Sequence, residues 1–316
     1  MKSNFSTVWG IGVSCLALII GCSEFIEKDL SGQKVFLTSP SDSVETNKYT
    51  QSFLWEPINN TSYRLQIASP SFNSSTEVVQ DTLLKTNRFN FILEPGTYEW
   101  RVRVENSGSA GIYSARKLII HQSSIKNQQV LIKSPLAGFV TNQSNVLYSW
   151  HRMFGADAYY LQVDTNNFSD DNELVFESRT PNTEFSVPLS TDKSYQWRVR
   201  AEADTVVSKW SPIQTFVLDA TPPGKVNTGT PTNGQAVTKP ITLQWAIVNG
   251  ATKYQLIIYK NNGSTIYSST FPLLLSVNSY SFTEGEYNET LYWKVRAIDA
   301  AGNLGEFSDV KNFTIQ

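Results

Sequence analysis

The clearest pattern in the chain is an alternation of apolar and polar residues that occurs three times. The copies are Tyr98–Val104, Tyr195–Ala201 and Leu291–Ala297, and each has Trp at its third position followed by a basic residue, Val and Arg. Alternation with a period of two is typical of a β-strand that buries one face. We therefore predict a strand at each copy, with side chains such as Tyr98 and Trp100 facing a core.

Shorter strand-like segments surround each copy in the same order. The opening segments are Val35–Pro40, Val130–Pro135 and Val226–Pro231; second strands end at Trp55, Trp150 and Trp245; third strands are Tyr63–Ile67, Tyr159–Val163 and Tyr254–Ile258; closing strands are Arg116–Ile120, Gln214–Leu218 and Lys311–Ile315. Short strands separated by turn residues, repeated about every hundred residues without a long helical pattern, predict an all-β chain of consecutive β-sandwiches.

The segment Leu93–Tyr98 and the Trp100–Val102 that follows resemble strands E and F of a fibronectin type III domain. The resemblance implies a tyrosine corner, in which the Tyr98 hydroxyl bonds to the backbone upstream. The tryptophans that end the second strand of each unit match the core tryptophan of the family's strand B. Asp219–Pro223 and Asp299–Asn303 are similar to segments found in bacterial members of the family.

The resemblance implies three tandem fibronectin type III-like, that is immunoglobulin-like, sandwiches at residues 33–122, 128–219 and 224–316. The short connections between them suggest a semi-rigid rod, since Pro222 and Pro223 restrict the second connection to extended backbone. The third unit departs from the pattern. Leu291 replaces the corner Tyr, which puts that hydrogen bond in question, and we expect a longer connection between strands C′ and E.

The N-terminus is predicted to be a leader. Residues 1–21 carry Lys2, an apolar run from Val8 to Ile20 and a small residue before Cys22. This run is too short for a comfortable transmembrane helix and is typical of a signal peptide. Ile19–Cys22 resembles the lipobox of bacterial lipoproteins. The resemblance implies cleavage before Cys22, acylation of its sulfur and new amine, and stable anchoring by the acyl chains.

Residues 22–32 are then an acidic tether. The tether is similar to the signals that send some lipoproteins of Gram-negative bacteria to the cell surface, and a plain solvated linker is the alternative. We expect the mature protein to be lipid-anchored in the bacterial outer membrane, at the cell surface or on the periplasmic face.

Composition narrows the classes of function. Over 316 residues, 26 basic and 28 acidic residues leave a formal charge of −2, which argues against a nucleic acid partner. Cys15 and Cys22 both lie near the N-terminus, so we predict domains without disulfides. The chain has two His residues and lacks a nucleophile elbow, phosphate loop or metal signature. We therefore predict no cofactor, no metal and no catalytic residues.

Aromatic and apolar residues are the main candidates for contact with a partner. The Trp residues after the leader recur at equivalent positions, so we predict that they pack in cores rather than stack on sugars. Phe72 and Phe168 remain candidate surface aromatics. The stretch Phe271–Val277, with candidate contact residues Phe271, Leu273, Leu274 and Leu275, is the apolar stretch without a counterpart in the other units. We expect it to be an extra edge strand or, if exposed, a partner-binding patch.

Three further features have polar interpretations. Basic residues on the outer face of the Trp strands are predicted to be a solvated face, with Trp210 stacked on Arg198 or Arg200, rather than a site for an anionic glycan. The loop Asp164–Glu173 is predicted to be a polar turn rather than a calcium site. Ser43, Thr82 and Thr205 lie in short sequences that resemble an O-glycosylation sequon of some Gram-negative bacteria.

These features predict a non-catalytic, lipid-anchored binding or spacer protein that presents its sandwiches to a protein or glycan partner. Two alternatives are open at this stage. One is a surface glycan-binding lipoprotein of a polysaccharide-uptake system, and the other is an accessory or cryptic hydrolase whose paired carboxylates only the fold would bring together.

Overall fold

The computed structural model describes residues 29–59, 62–74 and 77–316. The described chain is built of β-strands with one short 3-10 turn, Ile125–Asn127, which confirms the predicted all-β class. Cys22 and the leader lie outside the described residues. Within the described residues, no helix has the length and apolar character needed to cross a bilayer.

The first sandwich uses eight strands. They are β1 Leu37–Ser39, β2 Val44–Thr46, β3 Thr50–Trp55, β4 Ser62–Ser69, β5 Glu77–Leu84, β6 Arg88–Ile92, β7 Gly96–Glu105 and β8 Ser114–Ile120. One sheet has the order β1-β3-β6 and the other the order β2-β8-β7-β4-β5. All neighbouring strands are antiparallel except β2 and β8, which pair in parallel, and the two packed sheets form a fibronectin type III-like sandwich.

The second sandwich repeats this order with one extra hairpin strand. Its strands are β9 Ile132–Ser134, β10 Phe139–Thr141, β11 Asn145–Trp150, β12 Ala158–Asp164, β13 Phe176–Thr180, β14 Glu184–Pro188, β15 Lys193–Ala203, β16 Val206–Val207 and β17 Gln214–Leu218. The sheets run β9-β11-β14 and β10-β17-β15-β12-β13, and β16 pairs with β15.

The third sandwich has the same larger sheet, but an isolated bridge between Thr228 and Trp245 replaces the first strand. Its strands are β18 Gln235–Val237, β19 Ile241–Gln244, β20 Ala251–Tyr259, β21 Leu273–Leu275, β22 Ser279–Phe282, β23 Thr290–Asp299 and β24 Lys311–Ile315. β19 pairs with β22, and the larger sheet has the order β18-β24-β23-β20-β21.

The tryptophans fill the interiors as predicted. Each sandwich buries one Trp from each sheet: Trp55 and Trp100, Trp150 and Trp197, and Trp245 and Trp293, all at most 2% exposed. Ring centroids lie 6.5 Å apart in the second pair and 6.3 Å apart in the third. Replacing such a buried ring with Ala costs about 3–5 kcal/mol. These rings are therefore core residues and not a sugar-binding platform.

The predicted tyrosine corners are present in the first two sandwiches. The Tyr98 hydroxyl donates to the Glu94 carbonyl oxygen at 2.9 Å, and the Tyr195 hydroxyl donates to that of Thr191 at 2.8 Å. Burial raises the pKa of both phenols, which remain protonated donors. Leu291 is fully buried at the third corner and has no hydroxyl, so this sandwich relies on apolar packing there.

The stretch around β21 was wrongly predicted to lack a counterpart. β21 pairs with β20 at the edge of the larger sheet, where β5 and β13 lie in the other two sandwiches. The longer connection is therefore between β20 and β21, and not between β21 and β22 as the sequence suggested. Much of the extra length is a hairpin after β20, closed by a bridge between Tyr259 and Ile266.

The first sandwich also takes in part of the expected tether. Leu30 is 1% exposed and its backbone N–H donates to the Ser109 Oγ at 2.9 Å. Gly111 makes this packing possible, because a Cβ there would lie 2.5 Å from the carbonyl oxygen of Gln33. The folded unit thus begins before residue 33.

Candidate partner-binding surfaces

The basic residues of β7 are stacked on aromatic rings. The guanidinium carbon of Arg101 lies 3.8 Å from the centre of the Phe72 ring and 4.2 Å from that of Tyr113, while that of Arg103 lies 4.7 Å from Tyr113. The Arg101 Nε also donates to the Gln66 Oε1 at 2.9 Å. Two aromatic rings and the Gln66 side chain thereby hold Arg101 in place.

The same arrangement recurs in the second sandwich. Arg198 lies between Phe168 at 4.1 Å and Trp210 at 4.3 Å, and Arg200 lies between Tyr160 at 5.0 Å and Trp210 at 4.8 Å. The predicted stacking of Trp210 on these two arginines is confirmed. The Arg198 Nε donates to the Gln162 Oε1 at 2.8 Å.

In the third sandwich Lys294 and Arg296 stack on Phe307 at 4.4 Å and 4.5 Å, and Lys294 also lies 5.4 Å from the Tyr259 ring. Basic residues of the Trp strand thus stack on aromatic rings in all three sandwiches, which indicates that they stabilise the outer face of the larger sheet. We call them the basic stripe: Arg101, Arg103, Arg198, Arg200, Lys294 and Arg296. This geometry places Phe72 and Phe168 half-buried, each with a ring face against an arginine.

The apolar residues at and before β21, which were predicted as a possible partner-binding patch, differ in their exposure to solvent. Phe271 is buried, Leu273 and Leu275 are half-buried, and Leu274 is 56% exposed on the outer face of β21. Because β21 is an edge strand, its outward backbone groups and Leu274 are open to solvent. The candidate contact surface in this stretch is therefore limited to Leu274 and to Val277, which is also exposed.

Two of the candidate O-glycosylation residues lie in exposed turns. Ser43 precedes β2 and has a φ of 58°, and Thr205 lies in the turn between β15 and β16, next to Asp204 with a φ of 50°. Thr82 is half-buried on the edge strand β5. All three positions remain predictions as modification sites.

Three carboxylates of the loop Asp164–Glu173 have partners in the loop or on the neighbouring strand β15. The Asp164 Oδ2 accepts from the Phe168 N–H, the Asp170 Oδ1 accepts from the Asn172 N–H at 2.8 Å, and Asp171 lies 3.4 Å from Arg198. In the described part of the chain no three His, Cys, Asp or Glu side chains are grouped so as to hold a metal ion. The loop has the geometry of a turn that supports Phe168.

Two carboxylates are each held between two arginines on the outer face of the larger sheets. Glu105 lies 3.0 Å from Arg64 and 3.1 Å from Arg103, and Glu202 lies 2.9 Å from Arg179 and 3.0 Å from Arg200. Burial alone would raise the pKa of Glu202, but the arginine hydrogen bonds lower that pKa overall. Such a carboxylate stays ionised and is unsuited to donate a proton as a general acid.

The junction between the first and second sandwiches is closely packed. The Tyr49 hydroxyl donates to the Ser123 carbonyl oxygen at 2.8 Å and accepts from the Ser123 N–H at 3.0 Å. The buried Gln128 side chain accepts from the Tyr49 N–H at 3.0 Å and donates to the Asn47 carbonyl oxygen at 2.7 Å. These bonds fix the linker against the end of the first sandwich, and the Tyr49 ring also meets Phe154 of the second sandwich edge to face.

A groove of about 640 Å³ opens at this junction. Its polar lining includes Lys48 from the first sandwich and His151 and Lys209 from the second. The His151 ring packs edge-on against Phe91, with ring centres 6.2 Å apart. Burial and, secondarily, the charge of Lys133 lower the pKa of His151. No sequence pattern marks this groove, because its residues come from separate strands and a linker.

No family model matches the chain, and no curated protein matches it. Among solved structures, the chicken CNTN1 FN1-FN3 domains align with a TM-score of 0.41 and 15% identity, over 91% of this chain and 98% of that chain. The fibronectin(III)-like modules of Clostridium thermocellum CbhA align with a TM-score of 0.37 and 13% identity, over 59% of this chain and 92% of theirs.

Proposed function

We propose that this chain is a non-catalytic bacterial lipoprotein, anchored in the outer membrane through acylated Cys22, that acts as a modular spacer and presents its sandwiches to a protein or glycan partner. The observation that carries the proposal is the way in which consecutive sandwiches are joined. A binding or spacer role is what tandem fibronectin type III-like modules are suited to, since each is a rigid unit with loops at both ends.

Both linkers are held by side chains from the sandwiches they connect. Gln128 and Tyr49 fix the first linker. At the second, Asp192 accepts from the Thr221 hydroxyl and the Ala220 N–H, and Asn303 donates to the Asp219 carbonyl oxygen at 2.7 Å. The Thr221 and Ala220 hydrogen bonds lower the pKa of Asp192, so it is an ionised acceptor at neutral pH. Linkers fixed in this way favour a spacer over freely jointed domains.

The non-catalytic part of the proposal is supported by how the polar groups are used. The basic stripe is stacked on aromatic rings, and Glu105 and Glu202 are neutralised by arginines. Incubating the purified full chain with a panel of polysaccharides and measuring new reducing ends tests this part. We expect none above a buffer control, and the appearance of reducing ends would instead establish the hydrolase alternative.

The anchor is tested by Cys22→Ser. We expect this variant to lose incorporation of labelled palmitate and to leave the membrane fraction. Cys15→Ser is the matched control, because Cys15 lies inside the leader and we expect labelling to persist. If Cys22→Ser fractionates like the unaltered protein, the anchor proposal is wrong. Protease treatment of intact cells then reports whether the sandwiches face outward or the periplasm.

A further inference from the structure

The groove at the first junction has the build of a ligand site. It combines residues of the first sandwich, the linker and the second sandwich around a partly apolar floor that includes Leu131, Ile132 and Leu136. Its volume of about 640 Å³ lies within the range usual for small-molecule sites. The hydrogen bonds of Gln128 and Tyr49 fix the walls relative to each other, so a ligand would meet a preformed surface.

The charges in the groove have one sign. Its charged lining residues are Lys48 and Lys209, and no Asp or Glu is among its lining residues. Within the described residues, neither lysine ammonium group forms an ion pair or a hydrogen bond, and both residues are exposed. The chain as a whole has a formal charge of −2. A local cluster of unpaired cations in such a chain is complementary to an anionic ligand.

The neutral polar groups of the groove add a second requirement. The Asn90 and Asn127 amides and the Thr50 hydroxyl line it and have no hydrogen-bond partner among the described residues. Each of these side chains can both donate and accept. Sugar hydroxyls also do both, whereas carboxylates only accept. The floor of aliphatic side chains fits the C–H face of a sugar ring.

The second junction does not repeat these charges. With the three units aligned on Trp55, Trp150 and Trp245, Gln143 takes the place of Lys48 and Ala246 the place of His151. With Trp210 and Phe307 aligned, Glu306 takes the place of Lys209. Because the fold repeats but the cations do not, the charge at the first junction is not a requirement of the sandwich architecture.

We propose that this groove binds an acidic oligosaccharide, with Lys48 and Lys209 contacting its anionic groups and the amides of Asn90 and Asn127 contacting its hydroxyls. The inference deepens the binding part of the proposed function and rests on it, but is independent of the anchor. It also differs from sugar stacking on Phe72 or Phe168, since those rings are against arginines and outside the groove.

The test is calorimetric titration of the detergent-solubilised full chain with oligogalacturonate and with heparin-derived oligosaccharides. Neutral malto-oligosaccharides and poly-glutamate serve as comparison ligands. We expect saturable binding of at least one acidic oligosaccharide, weakened by added salt, and no binding of the neutral one. Lys48→Gln combined with Lys209→Gln should weaken binding about tenfold or more, since two charge-assisted contacts are lost.

The matched control is Lys253→Gln combined with Lys260→Gln. It changes the net charge equally, at exposed lysines of the third sandwich, and should leave binding unchanged. Circular dichroism checks that both double variants fold. Failure of both acidic oligosaccharides to bind overturns the inference, as does equal weakening in the control. Tighter binding of poly-glutamate than of either sugar overturns it in favour of an acidic peptide. None of these results affects the palmitate readout at Cys22.

Discussion

The side-chain amide of Asn303 donates a hydrogen bond to the carbonyl oxygen of Asp219, with 2.7 Å between nitrogen and oxygen. Asn303 belongs to the turn after β23, and Asp219 opens the second linker. The same amide donates to the Asp299 Oδ2 at 2.9 Å, and the Asn303 N–H donates to the Asp299 Oδ1 at 2.9 Å. Asn303 of the third sandwich therefore fixes the segment that leaves the second sandwich, and Asp299 holds the Asn303 side chain in place.

Replacing Asn303 with Ala should loosen the second junction. The change removes the bond to Asp219 and leaves the buried Asp299 with one fewer donor, at a cost of about 1–3 kcal/mol. We expect faster hydrogen exchange in residues 219–224 and in the turn after β23. Asn261→Ala, at an exposed position of the long hairpin, should leave both unchanged. Equal exchange in the two variants would show that the Asn303 bond does not hold the linker.

Tyr98→Phe and Tyr195→Phe should each destabilise one sandwich and leave the others unaffected. Each removes one hydroxyl whose hydrogen bond closes the corner, at a cost of about 1 kcal/mol. Because a chain of several domains need not unfold in one step, the measurement is hydrogen exchange resolved by strand. Tyr287→Phe, at a ring that is 74% exposed, is the control. A uniform effect on all strands would contradict the expectation.

Phe168→Ala separates a bracing role from a sugar-binding role. The ring stacks on Arg198 at 4.1 Å, and the loss of this contact should cost about 0.5–1 kcal/mol. We expect increased exchange in β15 and unchanged binding to polysaccharides. Phe139→Ala, at a ring that is 45% exposed, should alter neither. If polysaccharide binding disappears with Phe168 alone, the glycan-capture alternative gains its site.

Acidification should weaken the first junction through His151. Burial, aided by the charge of Lys133, lowers the pKa of His151 in the folded chain below its usual 6.5. Between those two pKa values the unfolded chain binds more protons. The contribution to stability is therefore fully present above about pH 6.5 and is lost as pH falls through that window.

The measurement is hydrogen exchange of residues 121–130 between pH 7.5 and 5, corrected for the intrinsic rate at each pH. We expect protection to fall on acidification in the unaltered chain. His151→Gln, which cannot take up a proton, should show a smaller change. An identical pH dependence in both proteins would assign the effect to other groups.

Sequence alone could predict those parts of the fold that depend on local periodicity. Trp100, Trp197 and Trp293 lie on strands along which apolar and polar residues alternate, and their burial follows from that period of two residues. β21 was misassigned because three consecutive Leu residues have no alternation and the strand is preceded by a long hairpin. Its position in the chain was a better signal, because β21 follows β20 just as β5 follows β4 and β13 follows β12.

The surfaces were harder to predict because they depend on residues brought together by folding. The stacking of Trp210 on arginines was predicted, but the other ring of each pair was not. Phe72 lies shortly after the end of β4, and Phe168 lies shortly after the end of β12. This equivalent position in the two sandwiches could have indicated a shared role. Lys48 and Lys209 carry no such signal, because their proximity to one groove depends on how two sandwiches dock.

The parallel pairing of β2 with β8 has a mechanical consequence. β2 lies near the start of the first sandwich and β8 at its end, and β10 with β17 and β18 with β24 repeat the arrangement. A pull between the two ends of the chain drags such neighbouring strands in opposite directions along their length. The ladder bonds then carry tension together instead of opening one after another, so each sandwich should resist stretching better than a hairpin peeled from its tip.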